Sequence, residues 1–275
     1  MNAQPLTLGF SPCPNDTYIF NALVNRRIDY QGPALAPPVL EDVETLNEWA
    51  MQGKLDITKI SCHAWGHLQD EYALLPAGAA LGRGCGPLLI VKEGAGFTRP
   101  EELIGRRIVV PGRYTTAALL LKLRLPECET SVLRFEQIMP AVARGEADAG
   151  VIIHESRFTY RRHGLVCVQD LGEWWEQETG APIPLGCIVM RKSLGPDLHA
   201  AVSRGIVESI RWADAHPAEG LSYIQEHAQE MEAQVMQSHI SLYVNAFSKD
   251  LGEEGGRALD ALLEQGRAIG LFPPA

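Results

Sequence analysis

The sequence predicts an α/β protein of two lobes, with mainly parallel sheets, a ligand cleft between the lobes and a helical C-terminus. Three observations carry this expectation. Strand-like and helix-like segments alternate from Leu6 to Arg191, the pattern of parallel strands joined by covering helices. The stretch Trp49–Ser61 is echoed by Ala141–His154: a helix ends at Gly53 or Gly145, two residues intervene, and Asp56 or Asp148 opens a short apolar strand with a polar end. The corner Ser11–Thr17 is echoed by Val109–Ala117, each a strand, a kinked loop with hydroxyl residues, then an apolar helix. Two units of one plan imply two lobes, and ligands of open parallel sheets bind beyond the carboxyl ends of strands.

Strand-like segments fall at Leu6–Phe10, Asp56–Ile60, Tyr72–Leu75, Pro87–Val91, Arg107–Val110, Val132–Phe135, Ala149–Ile153, Leu165–Gln169 and Cys187–Arg191. Helices are expected at Thr17–Asn25, Val43–Gln52, Thr116–Leu125, Gln137–Ala143 and Leu171–Glu178. From Leu198 onward apolar spacing predicts helix almost to the end, with Pro217 as the first residue of a new one. The Gly-rich Leu81–Ile90 and the stretch Pro182–Arg191 are expected to cross between lobes. The first lobe is then discontinuous, residues 1–88 with 188–275, and the second is 89–187.

Size and charge narrow the function. The 275 residues, 46% hydrophobic, suffice for a substantial core. A net charge of −10 argues against nucleic acid or an anionic membrane as partner and is explained by solubility. No run of 18 apolar residues exists, and the N-terminus lacks the basic and apolar regions of a signal peptide, so a cytoplasmic location is expected. The oligomeric state is left open. Cysteines 13, 62, 85, 128, 167 and 187 form no CxxC pair, which argues against zinc and against a disulfide framework. No P-loop is present, and the glycines of Gly82–Gly86 are spaced wrongly for a dinucleotide fingerprint. No cofactor or metal is expected.

Candidate site residues gather at the strand ends. Pro12 and Pro14 stiffen the first corner, and Asn15, Asp16 and Thr17 are all N-cap types. Such a helix start can hold an anion or a polar oxygen, with Ser11 and Asn15 as contacts; it is equally an ordinary capped helix. Of Thr115 and Thr116, one is expected to cap the next helix and the other to donate to a ligand carboxylate, with Arg113 placed to pair with an acidic ligand. Lys59-Ile60-Ser61 ends the strand that echoes the strand of His154, bringing a hydroxyl and backbone N–H groups. Ser61 has no Gly-x-Ser-x-Gly elbow, so it is not read as a nucleophile.

His154 follows the apolar Val151-Ile152-Ile153 and would face the cleft, where an imidazole suits proton transfer near neutrality. A histidine that only hydrogen-bonds within the fold is the alternative. Glu155 would point to the opposite side if the strand continues. The other seven histidines are expected at the surface. Cys13 sits where a helix start can lower a thiol pKa, although packing is the simpler role. Trp174-Trp175 are expected to pack.

Taken together, the blocks GFSPCPNDTYIF, PVLEDVETLN, TKIS, LGRGCGPL, PGRYTTA, VIIHESRFTY, PIPLGCIV and YVNAFS resemble the 1,4-dihydroxy-6-naphthoate synthase family of the futalosine route to menaquinone, over nearly the whole chain. The resemblance implies a type 2 periplasmic-binding-protein-like fold used as a cofactor-independent lyase acting on cyclic dehypoxanthine futalosine, a small acidic substrate. It implies the histidine of IIHES, His154, as general base, and Lys59, Ile60, Ser61, Thr115 and Thr116 as substrate contacts. A small-acid receptor of the same fold and a chorismate dehydratase remain the alternatives.

Overall fold

The computed structural model describes residues 4–228 and 232–272. Two sheets form the frame. The first contains β1 (Leu8–Phe10), β2 (Val39–Leu40), β3 (Ile57–Ser61), β4 (Tyr72–Leu74), β5 (Ala80–Gly82) and β11 (Ile183–Arg191) in the order β2-β1-β3-β11-β4, with β5 also on β11. The second contains β6 (Leu88–Lys92), β7 (Ile108–Val110), β8 (Thr130–Val132), β9 (Ala149–Ile152) and β10 (Leu165–Asp170) in the order β10-β6-β9-β7-β8. The covering helices are α1 (Pro14–Val24), α2 (Val43–Met51), α3 (Cys62–Gly66), α4 (Thr116–Arg124), α5 (Phe135–Arg144), α6 (Ser156–Thr159) and α7 (Leu171–Thr179). The C-terminal part supplies α8 (Pro196–Ala215), α9 (Pro217–His227), α10 (Ala233–Tyr243), α11 (Ala246–Lys249) and α12 (Gly252–Ala268), with Pro217 opening α9 as expected. No helix among the described residues is long and apolar enough to cross a membrane.

The sheets are mixed rather than mainly parallel. β1–β2, β1–β3, β7–β8 and β7–β9 pair parallel, while β6 and β11 run antiparallel to every neighbour. The reason lies in how strands arrive. A strand that follows a covering helix runs toward the cleft, whereas β6 and β11 each enter from the other sheet and run away from it. β5 and β11 lie side by side at the crossing, Ile183 opposite Gly82. The approach nearby is close: a Cβ on Gly86 would sit 2.3 Å from the backbone of Gly172.

The two sequence echoes are structural ones. Gly53 (φ 61°) and Gly145 (φ 75°) each take the left-handed conformation at a helix end. Asp56 then accepts from the backbone N–H and hydroxyl of Thr7, and Asp148 from the N–H and guanidinium of Arg107, so each aspartate ties its strand to the start of a parallel neighbour. The strand expected at Val132–Phe135 ends at Val132, because Phe135 already belongs to α5, where it is buried.

One apolar cluster joins Phe10, Phe20, Ile57, Ile188 and Ile206 beneath α1 and α8; another joins Ile90, Val109, Ile138 and Ile152. A third runs through both sheets, with Ile60, Leu89, Leu120, Val151, Val189 and Leu262. Trp175 is fully buried there with its indole N–H donated to Pro182 O, the packing role expected.

Candidate active site

The strand ends of both sheets meet at one cavity of about 90 Å3. Ser11, Asn15, Lys59, Ile60, Ser61, Thr115, Thr116 and His154, drawn from four separate stretches of sequence, all line it. Arg113 does not. Its side chain is exposed, lies over the Tyr114 ring at 5.8 Å and borders a different surface hollow, because the chain turns at Tyr114 before entering α4.

At the first corner the N-cap of α1 is Cys13, with Pro14 as the first helical residue. Asn15, Asp16 and Thr17 are therefore inside the first turn and cap nothing; Thr17 bonds back to Cys13 O. Asp16 becomes the hub of a buried network instead. Its Oδ1 accepts from Lys59 Nζ (2.9 Å) and Asn15 Nδ2 (2.8 Å), and its Oδ2 from Ser11 Oγ (2.8 Å). Lys59 also donates to Gly78 O at 2.9 Å. Lys59 is thus a buried, paired cation in the cavity wall. Cys13 is buried, and desolvation pushes its thiol pKa up, with Glu155 adding to the rise, so the helix start does not yield a thiolate.

At the second corner Thr115 is the cap, accepting from Ala118 N and donating to Gly112 O at 2.9 Å. Thr116 Oγ donates to Leu185 O at 2.7 Å and accepts from His63 N, so its hydroxyl proton is committed within the fold. An anion here would meet the first backbone N–H groups of α4, which have no intrahelical partner. Glu44 of α2 reaches across to accept from Tyr114 N (3.0 and 3.2 Å), and Asn47 holds Ser61 through its N–H (2.9 Å) and Oγ (3.1 Å). Ser61 Oγ accepts in that contact and keeps its proton to donate into the cavity.

His154 lies two residues past β9, the central strand of the second sheet, with φ of 56°. That left-handed turn, uncommon for a residue with a Cβ, aims the ring at the cavity. Phe135 meets it edge-on at 5.1 Å and the His239 ring lies nearly parallel at 6.3 Å. Burial lowers the His154 pKa below the ordinary histidine value, against an opposing pull from Glu155. The ring is therefore neutral at neutral pH, the state a proton acceptor needs.

Because the strand stops at Ile152, Glu155 does not alternate to the far side. It is buried beside His154, and Cys13 Sγ, a His154 ring nitrogen and a Glu155 carboxylate oxygen lie within 4.8 Å of one another. No sequence spacing announced that these three side chains would meet. The histidines expected at the surface include two exceptions. His63 is buried with Nδ1–H donated to Thr115 O at 3.0 Å, and His239 is fully buried in the cavity wall. The signal for His239 was its spacing: it falls on the face of α10 that buries Met236, Ile240 and Tyr243.

Residues 6–268 match the profile of a protein family described as menaquinone biosynthesis. A protein of Thermus thermophilus named 1,4-dihydroxy-6-naphtoate synthase is 49% identical over 272 residues, covering 99% of this chain and 97% of its own length. The chain belongs to the menaquinone biosynthesis family. As a member of it, the protein is an enzyme of menaquinone biosynthesis rather than a solute receptor. A solved structure from Archaeoglobus fulgidus, 34% identical, superposes with a TM-score of 0.91 over 99% of this chain and 100% of that one. The alkanesulfonate-binding protein SsuA of Xanthomonas axonopodis pv. citri, bound to MOPS, is 14% identical with a TM-score of 0.76, covering 100% of this chain and 96% of its own. That likeness shows the fold alone: this family member has the periplasmic-binding-protein-like architecture.

Proposed function

We propose that the chain is a carbon–carbon lyase that converts cyclic dehypoxanthine futalosine to 1,4-dihydroxy-6-naphthoate, with His154 as general base and without metal or organic cofactor. The lobes in this reading are residues 1–88 with 188–275 and residues 89–187, hinged where β5 and β11 cross. The observation that carries the proposal is the imidazole of His154, its pKa lowered by burial, just past the end of a central strand and facing a cavity on which two helix starts converge.

The chemistry follows from the substrate, a fused ring bearing a ketone and a carboxylate, joined to a sugar-derived ring. Loss of a C–H proton beside the carbonyl to His154 leaves the electron pair as an enolate. Cleavage of a carbon–carbon bond then releases a three-carbon fragment, and aromatisation of the remaining ring drives the step. The protein has to supply a base, donors to the developing oxyanion and exclusion of water. Ser61 Oγ–H is the free hydroxyl donor in the wall, and the start of α4 receives the carboxylate. Lys59, paired with Asp16 and held by Gly78 O, stays in the cavity wall as a fixed part of it.

His154→Ala is expected to fold normally and lower turnover by about 10²-fold or more. The assay follows naphthoate absorbance on incubation with the substrate, with chorismate as a control that yields no product. Turnover within a factor of two of the parent in His154→Ala would remove the base from this assignment.

A further inference from the structure

Two buried acceptors face each other behind His154. Glu155 Oε2 and His239 Nδ1 have no hydrogen-bond partner among the described residues, and they lie 3.9 Å apart. A chain of bonds fixes which atom of His239 is bare. Lys59 and Ser11 donate to the Asp16 carboxylate, and Asn15 spends its Nδ2 on the same carboxylate at 2.8 Å. Asn15 can therefore offer only Oδ1 to His239, and Nε2 meets it at 2.8 Å. Nε2 must carry the proton, which leaves Nδ1 as a lone pair turned toward Glu155. Two lone pairs facing across 3.9 Å, both out of reach of water, make a place for one proton.

We propose that Glu155 and His239 form a proton-holding pair that relieves His154 of the proton it takes from substrate. The inference rests on the reading of His154 as base. In the step, the substrate C–H bond breaks and leaves its electron pair on the substrate as an enolate, while an N–H bond forms on His154. That N–H then breaks and an O–H bond forms on Glu155, which moves in from 3.9 Å to donate to His239 Nδ1. His154 returns to neutral, and the negative charge that stood on Glu155 now stands on the enolate. No oxidant, reductant or co-reactant enters. The ring nitrogen of His154 is within 4.8 Å of the carboxylate, and the transfer requires the two to close to hydrogen-bond distance. Glu155 and His239 act through His154, as positioning and relay residues. Besides each other they face the Cys13 thiol, Tyr243 on α10 and the His154 ring. Burial keeps His239 neutral.

The test is kinetic and spectroscopic on the full chain. Glu155→Gln and His239→Gln are each measured across pH beside His154→Ala, with cyclic dehypoxanthine futalosine as substrate. Glu155→Gln is expected to lower kcat by about 10-fold or more with KM within a factor of three. It is also expected to move the acid limb of the kcat profile to lower pH, since the carboxylate that favours protonated His154 is gone. A structural role alone would lower activity without moving that limb. Independently of turnover, two-bond ¹H–¹⁵N spectra of histidine-labelled protein should show His239 as the neutral Nε2–H form at pH 7, with its Nδ1 signal displaced in Glu155→Gln. An unmoved limb, kcat unchanged in Glu155→Gln, or a proton found on Nδ1 at rest would each overturn the pair. Loss of the base reading shows differently, as full turnover in His154→Ala with the His239 spectrum unchanged.

Discussion

His63 carries a pH dependence in one side chain. It is buried under the Thr115 corner, and desolvation pushes its pKa down from 6.5 to about 4, with the Thr115 carbonyl pulling weakly the other way. The unfolded chain therefore binds a proton that the folded one refuses between those values. Stability from this residue is complete above about pH 6.5 and is lost as pH falls toward about 4. At roughly one kcal/mol or more per pH unit, the loss by pH 4.5 is about 2–3 kcal/mol. Urea titrations of the parent and His63→Gln between pH 7.5 and 4.5 check this: the parent should lose that much more than the variant, and equal slopes would exclude His63 as the source. At the same scale His154 was legible in the sequence because three apolar residues precede it and mark a buried strand. Glu155 was not, because alternation along a strand says nothing once the strand has ended at Ile152 and the chain has turned left-handed at His154. Asp16 was misread for a related reason. N-cap chemistry identifies residue types, while Pro14 decided where the helix begins.

The corner between β7 and α4 is tied to α2 by one side chain. Glu44 accepts the Tyr114 N–H, and Gly112 lies so close beneath that carboxylate that a Cβ there would fall 2.3 Å from Glu44 Cδ. Gly112→Ala must displace Glu44 and break its bond from the Tyr114 N–H, costing this arrangement of the corner about 1.5–3 kcal/mol. A rise in KM of about tenfold or more, with the thermal midpoint little changed, is the expected reading; an unaltered KM would show that the contact does not hold the corner. The helix and strand alternation, the paired glycine–aspartate echo and the two corners were all legible, because each rests on local chemistry. The direction of β6 and β11 was not. Nothing within Leu88–Lys92 or Ile183–Arg191 says from which side a strand enters its sheet. The burial of His239 was legible in its spacing, but its contact with Asn15 was not, since the two lie 224 residues apart in the chain and only the folded α10 brings them together.

For the whole molecule, the free space of about 90 Å3 falls well short of the roughly 300–1,000 Å3 of small-molecule sites. The proposed substrate, a fused bicyclic acid carrying a sugar-derived ring, outsizes that space, so the two sheets are expected to move apart to admit it. Small-angle scattering should accordingly give a larger radius of gyration without ligand than with a bound naphthoate or substrate, and identical curves would mean the cavity fills by side-chain motion alone. The path of β11 has one more consequence. Every strand of the second sheet lies between Leu88 and Asp170, whereas the first sheet waits for Ile183–Arg191 to fill the gap between β3 and β4. On the ribosome, where chains emerge from the N-terminus, the earlier-made half must stand with an open seam until the later-made half is finished. The order of synthesis and the order of completion run in opposite directions.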